Sequence, residues 1–218
     1  MMVHMADPNA QPLVSLTERR KAQTQLDIAR SAARLFAERG AAAVTAEDIA
    51  GAAGIGLRTF YRYFRTKEEA VAPLITSGID DWLVDLAGTE PGTPIAAALE
   101  ASARRALVAS EPSGYRALQL SRDLLRAVPG DPGLESVWFR VVNDTEEKLV
   151  ATLGVLMGPD ADPVDVRLAA VAGNTAMRLA IQTWAGTGDD TGGAPRPADI
   201  AVRCIRTLTA GLASLETA

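Results

Sequence analysis

Apolar residues along this chain recur with a helical period and do not alternate as strands would. Leu26, Ala29, Ala33 and Phe36 fall at i, i+3, i+7 and i+10, the spacing that lines one face of a helix. Ahead of that run Ser15-Leu16-Thr17-Glu18 has the form of a capping box. Arg39-Gly40 closes it with a basic last turn and a residue that tolerates positive φ. Thr45-x-x-Asp48 and Thr66-x-x-Glu69 repeat the capping signal at the heads of a second and a fourth helix. Farther along, Pro91 and Pro94, Pro112, Pro129 and Pro132, Pro159 and Pro163, and Pro195 and Pro197 all fall between apolar-periodic runs, where proline excludes helix continuation. This punctuation predicts helices near 67–87, 94–109, 113–128, 132–157, 163–186 and 197–215. Pro73 lies inside the first of them, where it would either kink the helix by removing a bond to Glu69 or delay its regular start. The run 186–196, GTGDDTGGAPR, predicts a mobile loop. With no strand alternation, repeat or heptad run, the predicted fold class is all-α, with about nine helices.

Composition narrows the chemistry. Hydrophobic residues make up 48% and charged residues 22% of the 218, which suits a globular chain rather than a disordered one. No apolar stretch approaches the ~18–20 residues of a membrane span. The opening MMVHMADPNAQPLV lacks the basic region and apolar core of a signal peptide, so residues 1–14 are expected to be a disordered leader. The single cysteine, Cys204, excludes an intramolecular disulfide and fits a reducing cytoplasm. The single histidine, His4, falls in the leader, so most zinc sites, Cys/His nucleophile pairs and Ser/His/Asp triads are removed. No glycine-rich phosphate loop appears and the carboxylates do not converge. The expectation is therefore a chain that is not an enzyme and carries no cofactor or metal.

A net charge of −5 hides an uneven distribution. Residues 1–70 carry 10 basic and 8 acidic side chains, and residues 71–218 carry 12 and 19. From Arg58 to Lys67 there are four basic residues and no acid. A locally basic face on an acidic body still attracts phosphate, because charges beyond a Debye length of about 8 Å are screened.

That basic run ends the segment TAEDIAGAAGIGLRTFYRYFRTK, residues 45–67. It reads as a short capped helix, a tight turn and a second short helix. Ala50 and Ala53 allow two helices to approach, Gly54 can take positive φ, and Ile55 plugs the angle between them. Phe60 and Phe64, at i and i+4, face the core, which leaves Arg58, Thr59, Arg62 and Tyr63 outward and Tyr61 at the boundary. Units of this form set their second helix in the DNA major groove.

The segment resembles the N-terminal DNA-binding domain of the TetR family of bacterial regulators. Thr45, Ala53-Gly54-Ile55, Thr59-Phe60-Tyr61, Tyr63-Phe64 and Lys67 match that family's pattern in order and spacing, over about residues 20–70. The resemblance implies a DNA-binding domain at 15–70, a ligand-sensing and dimerisation domain at 71–218, and a pseudo-palindromic double-stranded DNA operator. It implies phosphate contacts from Thr45, Thr59, Tyr63 and Lys67, and base-edge positions at Leu57, Arg58, Tyr61 and Arg62. Arg58 is the first candidate for bidentate recognition of guanine. Leu57 stays open between a thymine methyl and packing, as does Tyr61 between bases and packing. Gly56 departs from the small polar residue common in the family and removes one side-chain cap, though glycine is itself an acceptable N-cap.

For the rest of the chain, Val164, Leu168 and Val171 with Ile200, Cys204, Leu208 and Leu212 form apolar stripes suited to a four-helix homodimer contact, or to packing within one chain. In either case Cys204 is expected to act as a small hydrophobe. The resemblance places a small-molecule pocket among the middle helices, with Trp82, Tyr115, Trp138, Phe139, Met177 and Trp184 as candidate lining and Asn174 and Arg178 as polar handles. The same residues would also serve as plain core. As lining they would favour a largely apolar effector. The function expected is a ligand-responsive dimeric repressor in the cytoplasm. The alternatives are an architectural DNA-binding protein and, more remotely, an all-α enzyme. Pro73, at the joint of the two domains, is a candidate hinge.

Overall fold

A computed structural model of the chain describes residues 15–108, 112–187 and 196–212, leaving out the side chains of 112–118. The leader, including His4, and most of the predicted 186–196 loop lie outside the described residues. Among those described, every regular element is helical. The α-helices are α1 (Leu16–Arg39), α2 (Ala46–Ala52), α3 (Leu57–Tyr63), α4 (Ala72–Ala87), α5 (Ile95–Ala106), α6 (Pro112–Ala127), α7 (Pro132–Met157), α8 (Pro163–Gly186) and α9 (Pro197–Thr209). The all-α expectation holds.

Local chemistry sets most of the boundaries. Ser15 and Glu18 close a reciprocal capping box on α1, and Thr45 and Asp48 close another on α2. Gly40, at φ 77°, ends α1. Asp131 and Asp162 accept from the first free amides of α7 and α8, each followed by a proline in the first turn. The predicted box at Thr66 forms only in part. Thr66 Oγ1 accepts from the Glu69 amide at 3.2 Å, while the Glu69 carboxylate turns back to the Arg65 amide at 3.0 Å.

Beyond Thr66 the chain makes a 3₁₀ turn, Glu68–Val71, and α4 begins only at Ala72 with Pro73 in its first turn. Of the two outcomes expected of Pro73, the delayed start is the one seen. Its missing N–H falls where an α-helix has no partner to offer, so α4 loses nothing to it. The predicted α9 was also too long, since it ends at Thr209 ahead of Gly211 at φ 85°.

Two apolar cores result. The first joins Ile28, Phe36, Ile49, Phe60 and Phe64 to Leu74, Leu124, Val137 and Trp138, so the small N-terminal helices share their interior with the facing ends of α4, α6 and α7. The second joins Trp82, Leu86, Leu99, Leu149, Leu153, Ala176 and Ile205 from α4, α5, α7, α8 and α9. Within it Trp82 Nε1 donates to Ser102 Oγ at 3.0 Å, which satisfies the indole. At Gly173 the backbone passes so near α5 that a Cβ would stand 3.0 Å from Leu99 Cδ2.

Candidate functional site

The turn between α2 and α3 takes its shape from backbone need. Gly54 sits at φ 68° with open space around its Cβ position, so glycine is required by conformation and not by crowding. The Ile55 amide donates to the Ala50 carbonyl at 2.9 Å and locks the turn. Gly56 is the N-cap of α3, in extended conformation and without a side-chain cap bond. Phe60 and Phe64, buried and 5.6 Å apart between ring centroids, anchor α3 to the interior.

With those two rings inward, Arg58, Tyr61 and Arg62 face solvent. Tyr61 is 54% exposed, which resolves its boundary placement toward the outer face. Thr59 and Tyr63 are half-buried at the flanks, and the Arg62 guanidinium lies 5.2 Å over the Tyr63 ring. Leu57 is half-buried and packs against the first core. Among the described residues neither Arg58 nor Arg62 has an ion-pair partner, whereas Arg30 and Arg39 nearby pair with Asp27 and Asp48. The exposed face of α3 thus carries uncompensated positive charge beside a phenol ring.

Two residues expected on phosphates are engaged elsewhere. The Thr45 hydroxyl donates to Asp48 Oδ2 at 2.8 Å, and the Thr45 amide donates to the same oxygen at 2.9 Å. Those two hydrogen bonds, the amide first and the hydroxyl second, hold the Asp48 carboxyl below the ordinary carboxylate range. Lys67 reaches back across the domain, its ammonium donating to the Ala41 carbonyl at 2.7 Å and the Val44 carbonyl at 2.8 Å, with Glu68 3.8 Å away. It braces the link between α1 and α2 against the turn after α3. Nothing local in the sequence signals this, because both acceptors are backbone carbonyls more than 20 residues away.

The same turn meets the larger body. Arg140 of α7 lies 3.4 Å from Glu69, and a Cβ at Gly133 would come within 2.8 Å of Glu68 Cγ. The start of α7 is therefore fitted directly onto the segment between α3 and α4.

Behind this joint lies a cavity of about 160 Å³. Of the residues expected to line it, Trp82, Trp138, Asn174, Met177, Arg178 and Trp184 do so together. Phe139 does not. It is 66% exposed on the outer side of α7, because the adjacent Trp138 takes the inward position and successive helical residues point about 100° apart. The Tyr115 side chain lies outside the described residues. The lining that sequence alone does not reveal comes mainly from small and branched residues, among them Leu74, Ile75, Leu124, Val141 and Thr145. No bulky side chain marks them out in the sequence.

The apolar stripes divide in a similar way. Val164, Leu168, Val171 and Leu208 are exposed, and Leu179 continues the row on α8. Ile200, at 3% exposure, is buried in the second core of its own chain, and the partly buried Cys204 and Leu212 pack against that core. Ile200 is thus a correction to the expected interface, since α9 turns its apolar face onto α5 and α8 of the same protomer. No described helix is long and apolar enough to cross a membrane.

Comparison with known proteins bears on this arrangement. Residues 28–72 match the family model for bacterial regulatory proteins of the tetR family. The chain is 28% identical over 151 residues to the HTH-type transcriptional regulator TcmR of Streptomyces glaucescens, covering 67% of this chain and 66% of that protein. It is 50% identical over 52 residues to the HTH-type transcriptional repressor KstR2 of Mycobacterium tuberculosis, covering 24% of this chain and 26% of that one. The likeness therefore spans just under two thirds of the first relative's length and about a quarter of the second's. In fold it is similar to a TetR-family transcriptional regulator from Syntrophomonas wolfei, with a TM-score of 0.63 at 14% identity, covering 88% of this chain and 97% of the other.

Proposed function

We propose that this chain, which belongs to the TetR family of bacterial regulatory proteins by its residues 28–72, is a DNA-binding transcriptional regulator acting in the cytoplasm as a homodimeric, effector-released repressor. The observation that carries this reading is the outer face of α3, where Arg58, Tyr61 and Arg62 stand exposed on a helix anchored by Phe60 and Phe64. A seven-residue helix covers few base pairs, so two copies related by a two-fold axis would read a pseudo-palindrome with half-sites about 34–36 Å apart or somewhat more. Arg58 is assigned to a guanine edge, with Arg62, Tyr61 and Leu57 at neighbouring bases and Thr59 and Tyr63 on the flanking phosphates. The Thr45 hydroxyl would have to leave Asp48 to reach a phosphate, whereas Lys67, with two of its three N–H donors on carbonyls, holds the domain and keeps one donor for a phosphate.

The pairing surface assigned is the exposed row Val164, Leu168, Val171 and Leu179 of α8 with Leu208 of α9. The effector site assigned is the cavity walled by α4, α6, α7 and α8, suited to a largely apolar small molecule. Effector would release DNA by binding more tightly to the dimer whose reading heads are misplaced for the groove, which is the only way a ligand moves such an equilibrium. The turn at Glu68–Val71, in contact with α7 at Glu69 and with the DNA-binding head at Lys67, is the mechanical link. Genome-wide mapping of bound sites in the native host tests the whole. A few palindromic sites near promoters, vacated on effector addition, are expected. Many dispersed sites without effector response would favour an architectural role and overturn the reading.

A further inference from the structure

We infer that the effector taken by this cavity is a compact aryl carboxylate, an apolar body of one aromatic ring carrying an anionic head. The inference rests on the effector reading above and names the chemistry of that same site. A volume of about 160 Å³ is close to the ~150 Å³ that holds a benzene-sized body in an apolar core. Trp82, Trp138 and Trp184 all contribute to the wall, and three indoles favour an aromatic body over a branched aliphatic one of equal volume.

Charge sets the head group. Among the described lining residues there is one formal charge, that of Arg178, and no aspartate or glutamate. The Arg178 guanidinium donates to Gln182 Oε1 at 3.2 Å, a neutral group one turn along α8, and no carboxylate among the described residues is within ion-pair distance of it. Elsewhere in the same body Arg105, Arg167 and Arg206 each hold a carboxylate at 3.0 Å or less. The other polar wall groups are partly committed, since Thr145 donates to the Val141 carbonyl at 2.7 Å and Asn174 Nδ2 to the Val142 carbonyl at 3.0 Å. A second cation lies close by, for the Arg122 guanidinium stands 5.0 Å over the ring of Trp184 and donates to the Thr187 carbonyl. A carboxylate entering with its ring among the tryptophans would meet the guanidinium fork of Arg178 with the geometry that group favours. A cationic head would find no carboxylate among the described lining residues, and a neutral one could accept from the guanidinium but would leave its charge unneutralised.

The chain has three tryptophans and all three line the cavity, so intrinsic fluorescence of the full-length protein reports occupancy directly. Titration with benzoate, benzyl alcohol and benzylamine at neutral pH should show benzoate half-saturating at roughly ten-fold lower concentration than the alcohol, and the amine binding weakest. Arg178→Gln should weaken benzoate far more than benzyl alcohol and so close most of the gap between them, while Arg178→Lys should keep part of it. Should the glutamine variant fail to fold, the wild-type ranking and the lysine variant decide. Equal binding of benzoate and benzyl alcohol, or a gap that survives Arg178→Gln, overturns the anionic assignment and leaves the cavity as an effector site. No fluorescence response to any of the three overturns both.

Discussion

The N-terminal head and the larger body behind it are both helical, yet they are specified by different kinds of information. The helix boundaries and the turn of the head, α1 to α3, are set by signals a few residues apart. These are two complete capping boxes, a glycine at φ 68° and two phenylalanines one turn apart. The body is fixed by contacts between elements far apart in the chain, such as Arg206 with Glu100 and Trp82 with Ser102. A module that must present one surface to DNA gains from local rigidity. On the proposed function, a body that responds to a ligand gains from packing that has alternatives. A change of sequence in the head therefore acts locally, while one in the body propagates.

The largest test of that contrast is at Phe60, which is fully buried at the heart of the head. Phe60→Ala should destabilise the protein by about 3–5 kcal/mol in thermal or urea unfolding and abolish operator binding. A loss below about 1 kcal/mol would show that the head does not depend on that ring. Next in size is Lys67. Lys67→Met removes the ammonium from the Ala41 and Val44 carbonyls, of which Ala41 keeps the Val44 amide, and should cost about 1–3 kcal/mol of stability, with little change in the salt dependence of DNA binding. A phosphate contact predicts the reverse, full stability and a salt slope reduced by about one.

Smaller again is the cap of α2. Thr45→Ala should cost about 0.5–2 kcal/mol. Its bonds hold the folded Asp48 carboxyl below the ordinary range, so this stabilisation is present above that range and is lost as pH falls through the depressed value. Thr45→Ala removes the hydroxyl bond to Asp48 but keeps the amide bond, the larger cause of that depression, so unchanged stability at neutral pH is what would contradict the cap. The smallest stability effect is expected at Pro73, where Ala should change unfolding by less than about 0.5 kcal/mol. By letting the 3₁₀ turn and α4 merge into one stiffer helix, it should raise the effector concentration needed for release at nearly constant operator affinity. Unchanged release would remove Pro73 from the coupling.

Legibility in the sequence divides along the same line. Helix starts, the turn at Gly54 and the inward pair Phe60 and Phe64 were readable because each is decided within one or two turns of chain. Six cavity residues were also readable, since tryptophans, methionine and polar groups at helical spacing stand out. The place of Phe139 was not, because either of two adjacent aromatics can satisfy a helical period and only the neighbouring helices choose between them. Ile200 misled for a related reason. An apolar stripe says that a face is covered, and whether a partner or the same chain covers it is a tertiary fact. Lys67 reads in the sequence only as a phosphate-facing cation, because the carbonyls it also bonds leave no mark there.

The central claim, that α3 reads DNA through Arg58 in a two-fold dimer, is tested most directly by selecting binding sites from random duplex DNA with the wild-type protein and with Arg58→Ala. A pseudo-palindrome is expected for the wild type. The variant should lose preference at one position in each half-site, worth about 1–3 kcal/mol per base pair. Enrichment of no sequence, or of the same sequence with equal preference by both proteins, would contradict it.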